Sequence, residues 1–294
     1  MTFNLKTHFK KYNSYLSSLL LSFACIFNVS ANTLTDVIKE QERLLGGRIG
    51  VSVYDVSANK VWDHNGDSRF PLMSTFKVLA CAKLLSDVDK GLQLLNSSTV
   101  ISADSLIEWS PVTEKLIGEK ITLKQACSAA MTMSDNTASN ILLDAINGPK
   151  ELTAFMRSIG DNVTRLDRIE PELNEALDGD KRDTTTPNAM VKSLHTLLFG
   201  KVLSQDAKTQ LKQWMIDNKI TGNLLRSVLP DTWLIADRSG SGGFGSRAIT
   251  AVVWSDTRSP LIISIYLTQT KATLSERNKT IANIGKEIFA LYNN

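Results

Sequence analysis

Histidine is the scarcest versatile side chain here, with three among 294 residues. His8, His64 and His195 stand far apart in the chain, so there is neither an H-x-H cluster nor an H-E-x-x-H helix, which argues against a zinc centre. No G-x-S-x-G elbow occurs either, which weakens any Ser-His-Asp reading. His195, inside the apolar run AMVKSLHTLLFG, reads as a packing residue, and His64 as a hairpin-turn residue. A serine nucleophile in this chain therefore needs a base other than histidine. Excess charge is also missing. Lys6, Lys10 and Lys11 are the only charged residues of the first 31, and the rest of the chain balances thirty cations against 30 acidic residues. With no basic run interleaved with aromatics, nucleic acid is not an expected partner. Beyond residue 31 no apolar run reaches the roughly 20 residues a membrane-spanning helix needs. Repeats and low-complexity tracts are absent as well.

What is present suits a globular domain: 43% hydrophobic and 21% charged residues can bury a real core. The first 31 residues read as a secretory leader. A basic stretch through Lys11 is succeeded by the apolar run Tyr15 to Phe27, then Val29-Ser30-Ala31, with small residues placed for a cut after Ala31. Ser22-Phe23-Ala24-Cys25 is a poor lipoprotein box because Phe23 stands where a small residue is usual. The expected product is exported to the periplasm, with no membrane span in the mature chain. Cys25 leaves with the leader. Cys81 and Cys127 remain, either as two buried thiols or as a disulfide, which would close a loop of about 47 residues and contribute roughly 4 kcal/mol.

Strand-like patterns occupy both ends of the mature chain. Residues 35–45 have helical periodicity and stop at Gly46-Gly47; Arg48 to Val56 and Lys60 to Trp62 read as a hairpin. Trp233 to Asp237, Ala248 to Ser255 and Leu261 to Thr268 read as strands, with a helix after them from Leu274 to Tyr292. The middle reads as helices over 74–89, 122–133, 135–146, 149–159, 187–199 and 204–216. The expected fold class is α/β of the α+β type: an antiparallel sheet built from both termini and flanked by helices, plus an all-helical domain, with the active site between them. The expected domains are 32–65 with 217–294, and 66–216. Inside the second, Arg165 to Asp183 is dense in charge and lacks apolar periodicity, the mark of a long loop with a function.

The chemistry-bearing motifs lie at element boundaries. Ser74-Thr75-Phe76-Lys77 opens a strongly apolar helix, where residues i and i+3 share a face and free N–H groups favour an oxyanion. Taken alone, Ser74 reads first as a helix cap. Ser57-x-x-Lys60 has the same spacing but spans a turn and is discarded. Ser134-Asp135-Asn136 sits between two expected helices, and Arg238-Ser239-Gly240 closes the strand WLIADRSG. Each is weak alone. Together, in the order S-x-x-K, S-D-N and K-T-G with Arg in place of Lys, they form a specific signature.

On these residues, with the loop Arg168-Ile169-Glu170-Pro171-Glu172-Leu173-Asn174 and Arg247, the chain resembles a class A serine β-lactamase over its whole mature length. Arg238 departs from the usual Lys and resembles the carbenicillin-hydrolysing branch. The resemblance implies a disulfide between Cys81 and Cys127, no cofactor and no metal, a monomer, and β-lactams as partners. It implies Ser74 as the nucleophile that opens the lactam, activated by Lys77 or by Glu170 through a water. Ser134 would pass a proton to the leaving nitrogen, and Asn136 would hold Lys77 and the substrate amide. The N–H groups of Ser74 and Ser241 would form the oxyanion hole, with Gly240 leaving room. Arg238, Ser239 and Arg247 would take the substrate carboxylate, and Trp109 would line the mouth. Glu170 and Asn174 would direct the water that breaks the acyl ester, on a loop clamped by Arg168 and Asp183. Two other readings share the motifs: a D-alanyl-D-alanine peptidase and a sensor that stays acylated. Neither needs the Glu170 to Asn174 pair.

Overall fold

The computed structural model describes residues 34–292, so the expected leader and its cut after Ala31 lie outside the described residues. The centre is a five-stranded antiparallel sheet in the order β2-β1-β9-β8-β7. Its strands are β1 (Arg48–Asp55), β2 (Lys60–His64), β7 (Leu234–Ser241), β8 (Arg247–Trp254) and β9 (Leu261–Thr268). The pairing of β1 with β9, from Arg48 opposite Thr268 to Asp55 opposite Leu261, is where the two ends of the chain close one sheet.

Period-2 alternation explains why this sheet is covered on both faces. Ile49, Val51, Val53, Ile263 and Ile265 point one way, into a core shared with Leu34 and Ile38 of α1 (residues 34–45) and Ile281, Ile284 and Ile288 of α8 (Leu274–Tyr292). Tyr54, Ala248, Val252, Ile262 and Tyr266 point the other way, into the core of the helical region. Each fully buried aliphatic side chain contributes roughly 1.5–3 kcal/mol. β9 is buried along its whole length, which is why LIISIYLT is an almost unbroken apolar run.

The helical region holds α2 (Phe76–Asp89), α3 (Leu123–Thr132), α4 (Asn136–Ala145), α5 (Pro149–Ser158), α6 (Pro187–Phe199) and α7 (Gln205–Ile216). Helix α2 is its axis. From Phe76 to Ala82 every residue is buried, the signature of a helix apolar all round rather than along one stripe. A Cys81–Cys127 disulfide, with Cα atoms 5.8 Å apart, ties α2 to α3. Among the described residues no helix is long and apolar enough to cross a membrane.

Four details depart from the sequence reading. Strand β7 runs on to Ser241, so Arg238, Ser239 and Gly240 lie inside it; their pairing with Thr250, Ile249 and Ala248 overrides the weak strand propensity of Ser and Gly. His64 is the last residue of β2, not a turn residue, and its Nε2 lies 3.3 Å from Glu42 Oε2. The middle region is not purely helical: β3 (Phe70–Pro71) pairs with β6 (Thr184–Thr185), and β4 (Ser98–Val100) with β5 (Lys120–Thr122). Strands of two or three residues are too short to carry a period. Ser74 lies in a 3-10 turn, Met73–Thr75, with α2 starting at Phe76.

Candidate active site

Four segments converge where the edge strand β7 meets the start of α2. Met73 takes a left-handed φ of 48° while fully buried, a conformation costing roughly 1–3 kcal/mol that the surrounding fold must hold. Leu72 N donates to Asp183 O at 2.8 Å, and Thr75 Oγ1 lies 3.0 Å from Tyr266 Oη, so the turn is pinned on both sides of Ser74. A Cβ added to Gly240 would stand 2.9 Å from Ser74 N and 2.7 Å from Met73 Cβ. Only glycine allows β7 to approach the Ser74 turn this closely.

The second segment is the α3–α4 connection. Ser134 has φ 61°, and Asp135 caps α4 through its side chain. The buried Asp135 carboxylate accepts from Val112 N and Thr113 N at 2.9 Å, Thr113 Oγ1 at 2.8 Å and Ala138 N at 2.8 Å. It thereby fixes Ser134 and Asn136 on either side. The sequence alone marks this tripeptide as a weak capping signal, and Asp135 is the residue that caps. Trp109, at φ 62° and 59% exposed, stands at the rim with its Nε1 donating to Met133 O at 3.1 Å.

The third segment is loop 165–183. Arg168 Nε donates to Asp183 Oδ2 at 2.6 Å, and Asp183 Oδ1 accepts from Asp167 N and Arg168 N, so the loop ends are joined by charge-assisted bonds. Asn140 of α4 makes two bonds to the Glu170 backbone: Oδ1 accepts from Glu170 N at 2.9 Å, and Nδ2 donates to Glu170 O at 2.8 Å. Nothing in the sequence marked Asn140, one polar residue on an otherwise ordinary helix. Glu170-Pro171 is a cis peptide bond.

Lys77 is the hub. Its amine, wholly buried, donates to Asn136 Oδ1 at 2.6 Å, Ser134 O at 2.9 Å and Ser134 Oγ at 3.2 Å, and lies 3.2 Å from Glu170 Oε1. Ser134 Oγ in turn donates to Ser74 Oγ at 3.1 Å. Lys77 makes no hydrogen bond to Ser74 itself; the connection expected from i,i+3 spacing runs through Ser134, because Ser74 sits in the 3-10 turn rather than in α2. Burial pushes the Lys77 amine down to about 8 from its ordinary 10.5, against the pull of the Glu170 carboxylate and with the push of Arg238.

Arg238 is also wholly buried. It donates from Nε to Ser74 O at 3.1 Å, from Nη1 to Met131 O at 3.5 Å and from Nη2 to Ser134 Oγ. Burial lowers its guanidinium to about 10, which leaves it charged at neutral pH. Arg247, from β8, donates to Gly240 O at 3.0 Å and Asn278 Oδ1 at 2.8 Å. Ser241 is exposed at the end of β7.

Native proteins leave few buried polar atoms unpaired. Among the described residues five such side-chain atoms lack a hydrogen-bond partner, and three lie here: Glu170 Oε1, Asn174 Oδ1 and Ser239 Oγ. Glu170 Oε1 is close enough to Lys77 for an ion pair yet misaligned for a hydrogen bond. Glu170 Oε2 accepts from Asn174 Nδ2. No group of three or more His, Cys, Asp or Glu among the described residues could hold a metal ion. The arrangement can therefore offer a hydroxyl, an amine poised near neutrality, a carboxylate with one oxygen that accepts no hydrogen bond, and cations for an anionic ligand.

Residues 30–292 match the family model described as Beta-lactamase enzyme family. The chain is similar to beta-lactamase CARB-4 of Pseudomonas aeruginosa, 57% identical over 251 residues, 85% of this chain and 87% of that protein. It is 48% identical over 261 residues to beta-lactamase AER-1 of Aeromonas hydrophila, covering 88% and 86%. Its fold is similar to the crystal structure of the chromosome-encoded beta-lactamase of Vibrio parahaemolyticus, with TM-score 0.87 and 54% identity over 89% of this chain and 99% of that one. An ancestral (GNCA) beta-lactamase class A gives TM-score 0.86 and 45% identity over 87% and 99%.

If burial and Glu170 set the Lys77 amine against each other, ¹³C NMR of the labelled lysine Cε should give a midpoint near 8, and Glu170→Gln should lower it further by removing the raising charge. A Lys77 midpoint that stays near 10.5, or rises in the variant, contradicts this electrostatic balance.

Proposed function

The chain belongs to the beta-lactamase enzyme family as a class A member, a hydrolase of penicillins, and from that premise we propose how its residues divide the reaction. Ser74 Oγ attacks the lactam carbonyl as its proton passes to Lys77 or, through a water, to Glu170, and the C–N bond breaks to leave an ester on Ser74. The N–H groups of Ser74 and Ser241 stabilise the oxyanion. Ser134 passes a proton to the departing nitrogen, and Lys77 restores it; the chain of contacts from Ser74 Oγ to Ser134 Oγ to Lys77 Nζ, 3.1 and 3.2 Å, supports this route. Asn136 holds the amine in line.

Water then attacks the ester carbonyl as Glu170 takes its proton, the acyl C–O bond breaks, and that proton returns to the departing Ser74 Oγ, with Asn174 holding the same water. The observation that carries this reading is two neighbouring buried acceptors that receive no hydrogen bond: Glu170 Oε1, held only by the Lys77 charge, and Asn174 Oδ1. Without such a base the ester persists, and the peptidase and sensor readings have no use for the pair. The carboxylate common to penicillins goes to Ser239, Arg238 and Arg247. Ser239 Oγ is unpaired, and three of the five guanidinium N–H donors of Arg238 are accounted for, leaving two. Trp109 lines the mouth. The mature chain is exported to the periplasm and acts as a monomer without a cofactor, conferring β-lactam resistance.

Arg238 supports a finer reading, that penicillins with a second carboxylate, carbenicillin above all, are favoured substrates. A planar fork can engage a carboxylate in two parallel bonds where an ammonium cannot.

A time course with benzylpenicillin should show sustained turnover by the wild type and none by Ser74→Ala; a single burst from the wild type would return the chain to the peptidase or sensor readings. In parallel, Arg238→Lys should lose about tenfold more kcat/KM for carbenicillin than for benzylpenicillin. Equal losses on the two substrates speak against a fork-specific role.

A further inference from the structure

Loop 165–183 has a second cavity behind it, of about 310 Å³, whose lining includes none of Ser74, Lys77, Ser134, Glu170 or Arg238. Arg48 of β1, Ser68 and Arg69 ahead of β3, and Lys181 of the loop line it together with Asp178 and Asp180. Its carboxylates are already engaged. Asp180 pairs with Arg182 at 2.7 Å, Asp183 with Arg168 at 2.6 Å, and Asp178 Oδ1 accepts from Gln269 at 2.8 Å. By contrast Arg48, Arg69 and Lys181 form no ion pair among the described residues; Asp178 and Glu42 act on Arg48 only at longer range.

The two guanidiniums are nevertheless held in place. Arg48 Nη2 donates to Arg69 O at 2.8 Å, and its Cζ lies 4.2 Å over the Phe70 ring. Arg69 Nη1 donates to Val163 O at 3.0 Å and Thr184 Oγ1 at 2.9 Å. Each therefore keeps most of its five N–H donors for another partner. Burial and the like charges of Arg165 and Arg157 lower the Arg69 guanidinium against the pull of Asp161. Two held, half-buried guanidiniums with no direct ion pair, in a cavity whose lining carries five cations against three carboxylates, match a tetrahedral oxyanion in charge.

We infer that this cavity is a binding site for a doubly charged oxyanion of the phosphate class, inorganic phosphate or a phosphate monoester, held by Arg48 and Arg69 and closed over by Lys181. Arg48 and Arg69 belong to the body of the molecule and Lys181 to the loop. A bound anion thus fastens to that body the loop that carries Glu170.

Calorimetric titration with inorganic phosphate, at constant ionic strength balanced with chloride, should give saturable one-site binding. Amide exchange across residues 176–182 should slow in phosphate but not in chloride. Arg48→Gln and Arg69→Gln should each weaken binding about tenfold and remove the protection. Arg48→Gln is the safer variant, because its guanidinium makes one hydrogen bond, and circular dichroism checks that it is folded. Binding can be repeated on Ser74→Ala, so the outcome is independent of the hydrolytic mechanism. Absence of saturable binding, equal exchange in the two salts, or unchanged affinity in a folded Arg48→Gln overturns the inference. If neither variant folds, the wild-type comparison of phosphate with chloride decides it alone.

Discussion

One buried ammonium holds the cleft together. Lys77 Nζ draws the side chain of Asn136, both oxygens of Ser134 and the carboxylate of Glu170 around a single point that solvent does not reach. Removing a charge from water costs several kcal/mol unless partners surround it. Here those partners come from the α3–α4 connection and from loop 165–183, so the amine is tolerated only when both are in place. The same burial brings its proton affinity down to about 8, where an amine can both give and take a proton at neutral pH.

Around that point the chain accepts local cost. Met73, Trp109, Ser134 and Asp183 all have positive φ without being glycine, and three buried polar atoms within the cleft make no hydrogen bond. Each such feature opposes stability, and their concentration at one place is what a site shaped for chemistry rather than for packing looks like. The compensation lies further out: the Asp135 cap, the Arg168 to Asp183 pair, the two Asn140 bonds and the Cys81–Cys127 link brace the segments that carry the strain.

The long elements were legible from periodicity alone. Helices Pro187–Phe199 and Leu274–Tyr292 and strand Leu261–Thr268 lie where the apolar pattern ends them. Elements set by tertiary pairing were not. The outer half of β7 consists of Arg, Ser and Gly, and becomes strand only because β8 lies beside it. Phe70–Pro71 and Thr184–Thr185 are too short to carry any period. Within the site, the residues bearing reactive groups could be picked out because their order along the chain is distinctive. The residues that place them, Met73, Asp135 and Asn140, act through backbone angles and hydrogen bonds that only a folded chain brings together. Arg238 combines the two cases. A substrate-facing cation was the natural reading of its motif, yet its guanidinium is wholly buried and fastened to Ser74 O and Ser134 Oγ, so it also belongs to the framework.

In the proposed mechanism turnover rests on Glu170 as the base that clears the ester on Ser74, and intact-protein mass spectrometry of Glu170→Gln mixed with benzylpenicillin tests this directly. A stable adduct of one penicillin per chain, located on Ser74 by peptide mapping and persisting while the wild type returns to its free mass, is the predicted result. A Glu170→Gln protein that turns over at the wild-type rate without accumulating an adduct would contradict it.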